Sequence, residues 1–440
     1  MSPLLRNVYA NQIYIHPFVL IFLIIAILVV LAFDKKYVVL IFLLTINFIT
    51  PAQRISISGI DFPIIRILFL VALLRIFLRR EYSEFRITLL DKIIFFQIAI
   101  STLAYSLQVP SFSSVTFAAS TFIDSFSAYF IIRCLIKDEK DIRSIITELA
   151  WISFVVAFLF LYEVVNRHNL MSILGWVPET PEIRHGQIRA QGAYAHPILA
   201  GAYWAAVFPL FIGSCIKGEK KVLLMYLGVV SSIIIIVLSS SSTSISSFLV
   251  GIIASLFYFQ RDSLTFIKLL LIFSPFVLSI FMDNPIWFLL TKIDFTGGST
   301  GFFRYLLLDN FIRNWKEWFF LGIRNTGQWG TTLSLPWVGL NDLTNQFVVE
   351  GVRGGIFGLT TFIFAIVIAF KYFGKLLSVA DNKDTHRLYW YLGTSLLVHI
   401  TNFIGISYFS QEKMAWWMAL AFSACLIQNR VELVKTTKLM

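Results

Sequence analysis

Arg184 and Arg189 precede His196-Pro197, which opens a long apolar run. A helix starting there would turn its first N–H groups and partial positive charge toward an anion. Pro197 suits the first helical turn, where a missing N–H costs nothing. The two guanidinium groups offer planar forks matched to phosphate oxygens, and His196 is a candidate proton acceptor. A second stretch, 297–322, carries Arg304, Asp309 and Arg313 among many aromatics. A third, 341–355, sets Asp342, Asn345, Glu350 and Arg353 around Gly351, Gly354 and Gly355. Glu350, Asp342 and His196 are, in that order, the candidate general bases. The chemistry these types suit is the gripping of a phosphate-bearing ligand, with proton transfer to a carboxylate or an imidazole. No zinc spacing, Walker-type glycine loop or Gly-x-Ser-x-Gly elbow occurs, so neither a metal nor a cofactor is expected.

The elements that must hold these segments are apolar throughout. Of 440 residues, 58% are hydrophobic, against about 45–50% in soluble domains. Apolar runs near the roughly 20 residues needed to cross a bilayer recur at 18–33, 37–50, 62–78, 89–108, 115–135, 144–165, 194–216, 222–238, 244–260, 264–281, 351–373, 388–408 and 412–428. The first two are short, so twelve or thirteen spans are expected. The expected fold is all-α: one polytopic membrane domain over 1–440. Its parts are N-terminal helices 1–165, an outer loop 166–193, central helices 194–281, a large outer loop 282–350, and C-terminal helices and tail 351–440. The run 18–33 ends in Asp34-Lys35-Lys36 rather than at a small-residue cleavage site, so it is expected to remain as a span.

The 36 Lys+Arg exceed the 25 Asp+Glu, for a net charge of +11, and the basic clusters Lys35/Lys36, Arg79/Arg80/Arg86, Lys137/Lys140/Arg143, Lys217/Lys220/Lys221, Arg261/Lys268 and Lys371/Lys375/Lys383/Arg387 fall on every second connection. That places these connections in the cytoplasm and leaves 51–61, 109–114, 166–193, 239–243, 282–350 and 409–411 outside. The sorting accounts for the positive charge without nucleic acid. Outer arginines that disobey it call for an anionic ligand or for ion pairs with Asp309, Asp342 and Glu350. Within 297–322, Ser299 or Thr300 can cap a helix and Gly322 can stop it. Phe303, Leu307, Phe311, Trp315, Trp318 and Phe319 fall on one side, which predicts an amphipathic helix lying along the membrane surface. Asp309 and Arg313 can pair at i,i+4. Ser239–Ser242, with Thr243, predicts a polar hinge that caps helix ends. Asp124, Arg66, His399 and Asn402 lie within spans, as functional groups or as hydrogen bonds between helices. Cys134, Cys215 and Cys425 are too scattered for a disulfide framework or a metal site.

At the three polar segments the chain resembles the O-antigen polymerase and O-antigen ligase superfamily of bacterial membrane glycosyltransferases. The carrying residues are Arg189-x-x-Gly192-x-x-x-His196-Pro197, then Ser299-Thr300-Gly301-x-x-Arg304-Tyr305 with Asp309. Trp329-Gly330, Thr344-Asn345-Gln346-Phe347 and Glu350-Gly351-x-x-Gly354-Gly355 follow, and then Phe403-x-Gly405-x-Ser407-Tyr408-Phe409-x-Gln411. The resemblance implies a GT-C-like fold in the bacterial cytoplasmic membrane, active on its extracytoplasmic face. It implies transfer of glycan from a polyprenyl-pyrophosphate carrier to an acceptor glycan, without metal or cofactor. Arg189 and Arg304 would bind the pyrophosphate, with Arg184, Arg353, Asp309, Asn345 and Gln411 as further contacts to pyrophosphate or glycan. A chain-length regulator and a flippase would be protein partners. Thr344 stands where the ligases carry a histidine, which favours polymerisation over ligation. The rival functions are export of a lipid-linked glycan and a non-catalytic role in envelope assembly.

Overall fold

A computed structural model of the chain describes residues 12–57, 60–215, 221–263, 273–274, 276–295, 301–329, 343–409 and 412–437. Helix dominates. In chain order the main helices are α1 (Pro17–Ala32), α2 (Lys35–Phe48), α3 (Ile64–Leu78), α4 (Leu89–Gln108), α5 (Phe112–Leu135), α6 (Glu139–Asn166), α7 (Pro197–Ser214), α8 (Val222–Leu238) and α9 (Ser242–Leu256). They continue as α10 (Gly301–Arg313), α11 (Trp315–Trp318), α12 (Gln346–Ser378), α13 (Lys383–Gly405) and α14 (Glu412–Thr437). Two antiparallel hairpins interrupt them, β1 (Arg54–Ile57) with β2 (Ile60–Pro63), and β3 (Glu182–Arg184) with β4 (Gln187–Arg189).

Among the described residues, α4 to α7, Ser242–Arg261 and α12 are long and apolar enough to cross a membrane, while α1 and α8 are shorter apolar helices. Most of the expected span 264–281 lies outside the described residues. Sequence-local chemistry starts several helices. Thr88 and Asp91 form a reciprocal capping box at α4, and the side chains of Ser111, Asp138 and Asn382 cap α5, α6 and α13. Along α6, Trp151, Phe154, Phe158, Leu161 and Val165 form one stripe, each at least 43% exposed. An uncovered apolar helix face of this size marks contact with lipid or another apolar surface.

The connections expected outside meet at one end of the bundle. Thr50 Oγ1 and Gln53 Nε2 donate to the Leu174 carbonyl at 2.9 and 2.6 Å. The Ala190 N–H reaches the Leu238 carbonyl at 3.0 Å, and Gln108 Nε2 reaches the Val352 carbonyl at 3.0 Å. Acid–base pairs close the other end, with Lys35–Asp141 at 2.6 Å and Arg75–Glu81 and Arg133–Asp91 both at 2.8 Å.

Two sequence expectations are corrected here. The stretch 297–322 is not one surface helix: a turn at Asn314 separates α10 from α11. Its apolar residues Leu307, Phe311 and Trp318 pack against Trp329, Val348 and Val352, so protein and not lipid covers that face. Trp315 points away, at 47% exposed.

The second correction concerns residue 351 as the start of a span. The Phe347 and Phe362 rings lie 5.6 Å apart, and a Cβ at Gly358 would sit 3.0 Å from the Glu350 carbonyl. Along an unbroken helix, Phe347 and Phe362 would be about 22 Å apart at 1.5 Å per residue. The run Gln346–Ser378 therefore doubles back on itself. It turns at Gly355, whose φ of 61° and ψ of −159° belong to a region open only to glycine. A Cβ there would also overlap the Phe320 carbonyl. Gly355→Ala is therefore expected to lower stability by at least about 1–3 kcal/mol. Gly374→Ala, where a Cβ meets nothing within 4 Å, should raise it by about 0.5–1 kcal/mol. Thermal unfolding of the two purified variants checks both signs.

Candidate functional site

The site begins with the β3–β4 hairpin. His185 and Gly186 both take positive φ, 49° and 78°, the backbone of a tight two-residue hairpin turn. The register sets Arg189 opposite Glu182, and Arg189 Nη1 donates to Glu182 Oε2 at 2.8 Å. Arg189 is only 4% exposed. Just beyond it the chain is pinned by Glu163 of α6, whose carboxylate accepts from the Gln191 N–H at 3.1 Å and the Gly192 N–H at 2.9 Å. Asn169 Nδ2 donates to the Gly192 carbonyl at 2.9 Å. His196 then caps α7, its Nδ1 accepting from the Ile198 N–H at 3.2 Å, with Pro197 first in the helix as the sequence predicts.

The α8–α9 turn, 239–242, gathers the remaining segments. Ser240 Oγ lies 3.4 Å from the Ile188 carbonyl of β4, and Ser244 Oγ donates to the Ile198 carbonyl at 3.2 Å. Ser242 Oγ accepts from the Phe295 N–H at 3.2 Å, which brings in the chain leading to α10. A Cβ on Gly405 would lie 2.8 Å from Thr243 Oγ1, and Asn345 Nδ2 donates to the neighbouring Ile404 carbonyl at 3.1 Å. Ser239 Oγ bonds back to the Ile236 carbonyl at 2.7 Å, a helix-end role as expected. The hydroxyls of Ser240 and Ser242 join segments far apart in sequence.

Charge at this place is one-sided. The positive charge of Arg184 acts on Arg189, on His196 and on Arg304, so these residues share one neighbourhood. Burial, and then Arg184, pulls the Arg304 guanidinium down to about 10. Burial also lowers Arg189, with Glu182 opposing. Burial first, and the two hairpin arginines after it, push His196 down to about 3. Among the described residues, the Arg189–Glu182 bridge is the one ion pair made by these three arginines. Arg189 Nε, Arg304 Nε, Thr243 Oγ1 and Thr344 Oγ1 are buried without a hydrogen-bond partner.

The other expected site residues are divided. Asp309 accepts from Arg313 Nε at 2.6 Å and from Trp287 Nε1 at 3.2 Å, so its charge is met within the loop. Asn345 caps α12 through the Val348 N–H at 3.2 Å. Glu350 does not stand at the mouth of a span. The fold-back carries it into a cavity of about 90 Å³ between α4, α5, α12 and α14, together with Arg353. There it accepts from Gln346 Nε2 at 2.7 Å and Gln97 Nε2 at 3.2 Å. The charges that act on Glu350 are Arg353 and Lys413 rather than the hairpin arginines. Asp342 and Gln411 lie outside the described residues.

Two intrahelical groups singled out in the sequence prove to be partners. Arg66 Nε and Nη2 grip the two oxygens of Asp124 at 2.7 Å each. His399 Nδ1 and Asn402 Nδ2 both meet the Tyr408 hydroxyl, at 2.8 and 3.0 Å. Glu163 was not foreseen, although an acid inside the apolar run 144–165 is itself a signal.

His196 supplies a pH test. Its folded-state value lies below the ordinary one near 6.5, so the unfolded chain binds the proton more readily. Its contribution to stability is then complete above about pH 6.5 and is lost as pH falls toward 3. His196→Asn keeps a capping acceptor without the titration. The slope of stability against pH between 6.5 and 4 should shrink by up to about 1.4 kcal/mol per pH unit relative to the parent protein.

No model of a known protein family matches this chain, and no curated protein matches it.

Proposed function

We propose that the chain is a polytopic membrane glycosyltransferase with twelve or thirteen spans, of the O-antigen polymerase and ligase kind. It moves oligosaccharide from a polyprenyl-pyrophosphate carrier to an acceptor glycan at the extracytoplasmic face of the bacterial cytoplasmic membrane. The observation that carries this reading is that Arg184 acts on both Arg189 and Arg304, which are 115 residues apart in the chain. Their buried Nε groups lack partners, and Glu182 alone balances them among the described residues. A diphosphate would supply the missing acceptors and the missing negative charge.

In the transfer, an acceptor hydroxyl oxygen attacks the anomeric carbon while the bond to the pyrophosphate oxygen breaks. Negative charge grows on the leaving diphosphate, where fixed guanidinium groups stabilise it most. The hydroxyl proton requires a base. His196 is a weak one, because burial and its cationic neighbours hold it neutral with a value of about 3. Glu350 is the other described candidate; it faces a cavity of its own with Arg353, so on this reading the acceptor hydroxyl reaches into that cavity. An exporter would need charges strung along a path. Arg66–Asp124 and Arg133–Asp91 are instead closed pairs, which favours the transferase.

Arg304→Ala is the cleaner test, since Arg304 has no ion-pair partner to strand among the described residues. Arg304→Ala and Arg189→Ala should abolish polymer while the protein still inserts; normal chain length in both overturns the reading. A deletion strain should accumulate single repeat units on the carrier, whereas accumulated finished polymer would indicate a ligase. Glu350→Gln should slow transfer by about 10²–10⁴, the usual contribution of a general base. His196→Asn should cost far less in the same glycolipid assay.

A further inference from the structure

A second polar recess lies at the opposite end of the bundle from the arginine cluster. Lys140, Arg143, Ser144 and Thr147 follow one face of α6. Across from them stand Ser214, the last residue of α7, and Lys221 and Met225 at the start of α8. The lining thus holds three cations and three hydroxyls and, among the described residues, no carboxylate.

Basic residues at this end are expected from charge sorting alone, and several of them are quenched by carboxylates. Lys35 pairs with Asp141 at 2.6 Å, and Arg75 pairs with Glu81 at 2.8 Å. Arg430 pairs with Asp381 at 2.5 Å. The recess differs. Arg143 donates to the Asp384 carbonyl at 3.2 Å, a neutral acceptor. Neither it nor Lys140 nor Lys221 forms an ion pair with a described residue. Glu148, one turn further along α6, acts on Lys221 but shares its charge with Lys36.

The independent sign of a ligand is Ser214. It is 9% exposed, lines the recess, and its Oγ has no hydrogen-bond partner. A buried hydroxyl without a partner is costly, and an acceptor placed in the recess would take its proton.

We propose that this recess binds a phosphate-bearing anion, drawn either from an anionic phospholipid headgroup or from a free phosphate compound. Arg143 offers a planar fork and the two lysines offer point charges. Ser214 adds a free donor, whereas Thr147 Oγ1 already donates to the Arg143 carbonyl at 2.8 Å and Ser144 bonds to Glu148. Basic pockets between helices are a recognised seat for anionic headgroups. Leu223, 77% exposed at the start of α8, would flank an acyl chain. The inference does not depend on the transferase reading.

The test uses the full-length protein and thermal unfolding. In one arm it sits in nanodiscs of phosphatidylcholine with or without phosphatidylglycerol, and in the other in detergent with or without inorganic phosphate. Binding to the folded state should raise Tm by a few degrees, about 2–4 °C. A rise with phosphatidylglycerol alone assigns the lipid source, and a rise with inorganic phosphate assigns the free one. Arg143→Gln with Lys221→Gln should remove the rise. Lys92→Gln with Lys371→Gln, exposed cations outside the recess, should keep it although the net charge falls equally. If neither probe raises Tm, or both pairs of substitutions lose the rise equally, the site does not exist. Should the first pair fail to fold, Ser214→Ala carries the test by removing the buried donor, and an undiminished rise in that variant overturns the proposal.

Discussion

The Glu163 carboxylate is 1% exposed and accepts the N–H groups of both Gln191 and Gly192. Those amides belong to neither helix nor strand, so without Glu163 they would be buried and unpaired, at about 1–3 kcal/mol each. Gly192 adopts φ 55°, and the Phe160 ring leaves no room there for a side chain, since a Cβ would come within 2.9 Å of it. The turn so fixed joins β4 to α7. Its orientation decides where Arg189 lies on one side and where the helix capped by His196 begins on the other. One acid on α6 thereby sets the geometry of two cationic or cation-adjacent groups that it does not touch.

The cluster built on that turn is strained electrostatically. Arg184, Arg189 and Arg304 act on one another or through one another, yet Glu182 is the one carboxylate bonded to any of them among the described residues. Elsewhere the protein matches charges closely. Arg133 meets both oxygens of Asp91, and Arg66 meets both oxygens of Asp124. Like charges held together in a partly buried place repel strongly because water screens them less. On the proposed reading, an arriving diphosphate relieves that repulsion, and its binding also stabilises the fold.

The fold-back at Gly355 has a different consequence. Helix formation along Gln346–Ser378 is continuous enough in sequence to suggest one span with polar residues at its mouth. The reversal instead turns its first two turns into a short arm packed against the next segment. Close approach of the two arms depends on Gly358, where a Cβ would meet the Glu350 carbonyl and the Ser101 hydroxyl at 3.0 and 3.2 Å. Glu350 is thus placed among Gln97 and Gln346, where two neutral amides hold it. Asn345, at the base of the arm, spends its side chain on the helix cap and the Ile404 carbonyl.

Much of this was legible in the residues themselves. Apolar length marked the helices, since burial of such runs follows from composition alone. Pro197 after His196 marked a helix start, because that proline needs no donor. Spacing foretold the Asp309–Arg313 pair. Tertiary structure decided the rest. Arg66 and Asp124 are 58 residues apart, and only packing of α3 on α5 makes them a bidentate pair. The apolar side of α10 reads equally well as lipid-facing or core-facing, and Val348 and Val352 settle it by covering that side. Glycines at 351, 354 and 355 announced close approach but not its direction, because a glycine permits a reversal without dictating one. Local sequence determines which conformations a segment can adopt; which partner arrives to satisfy its polar groups depends on chain far away, and so only the folded structure could assign it.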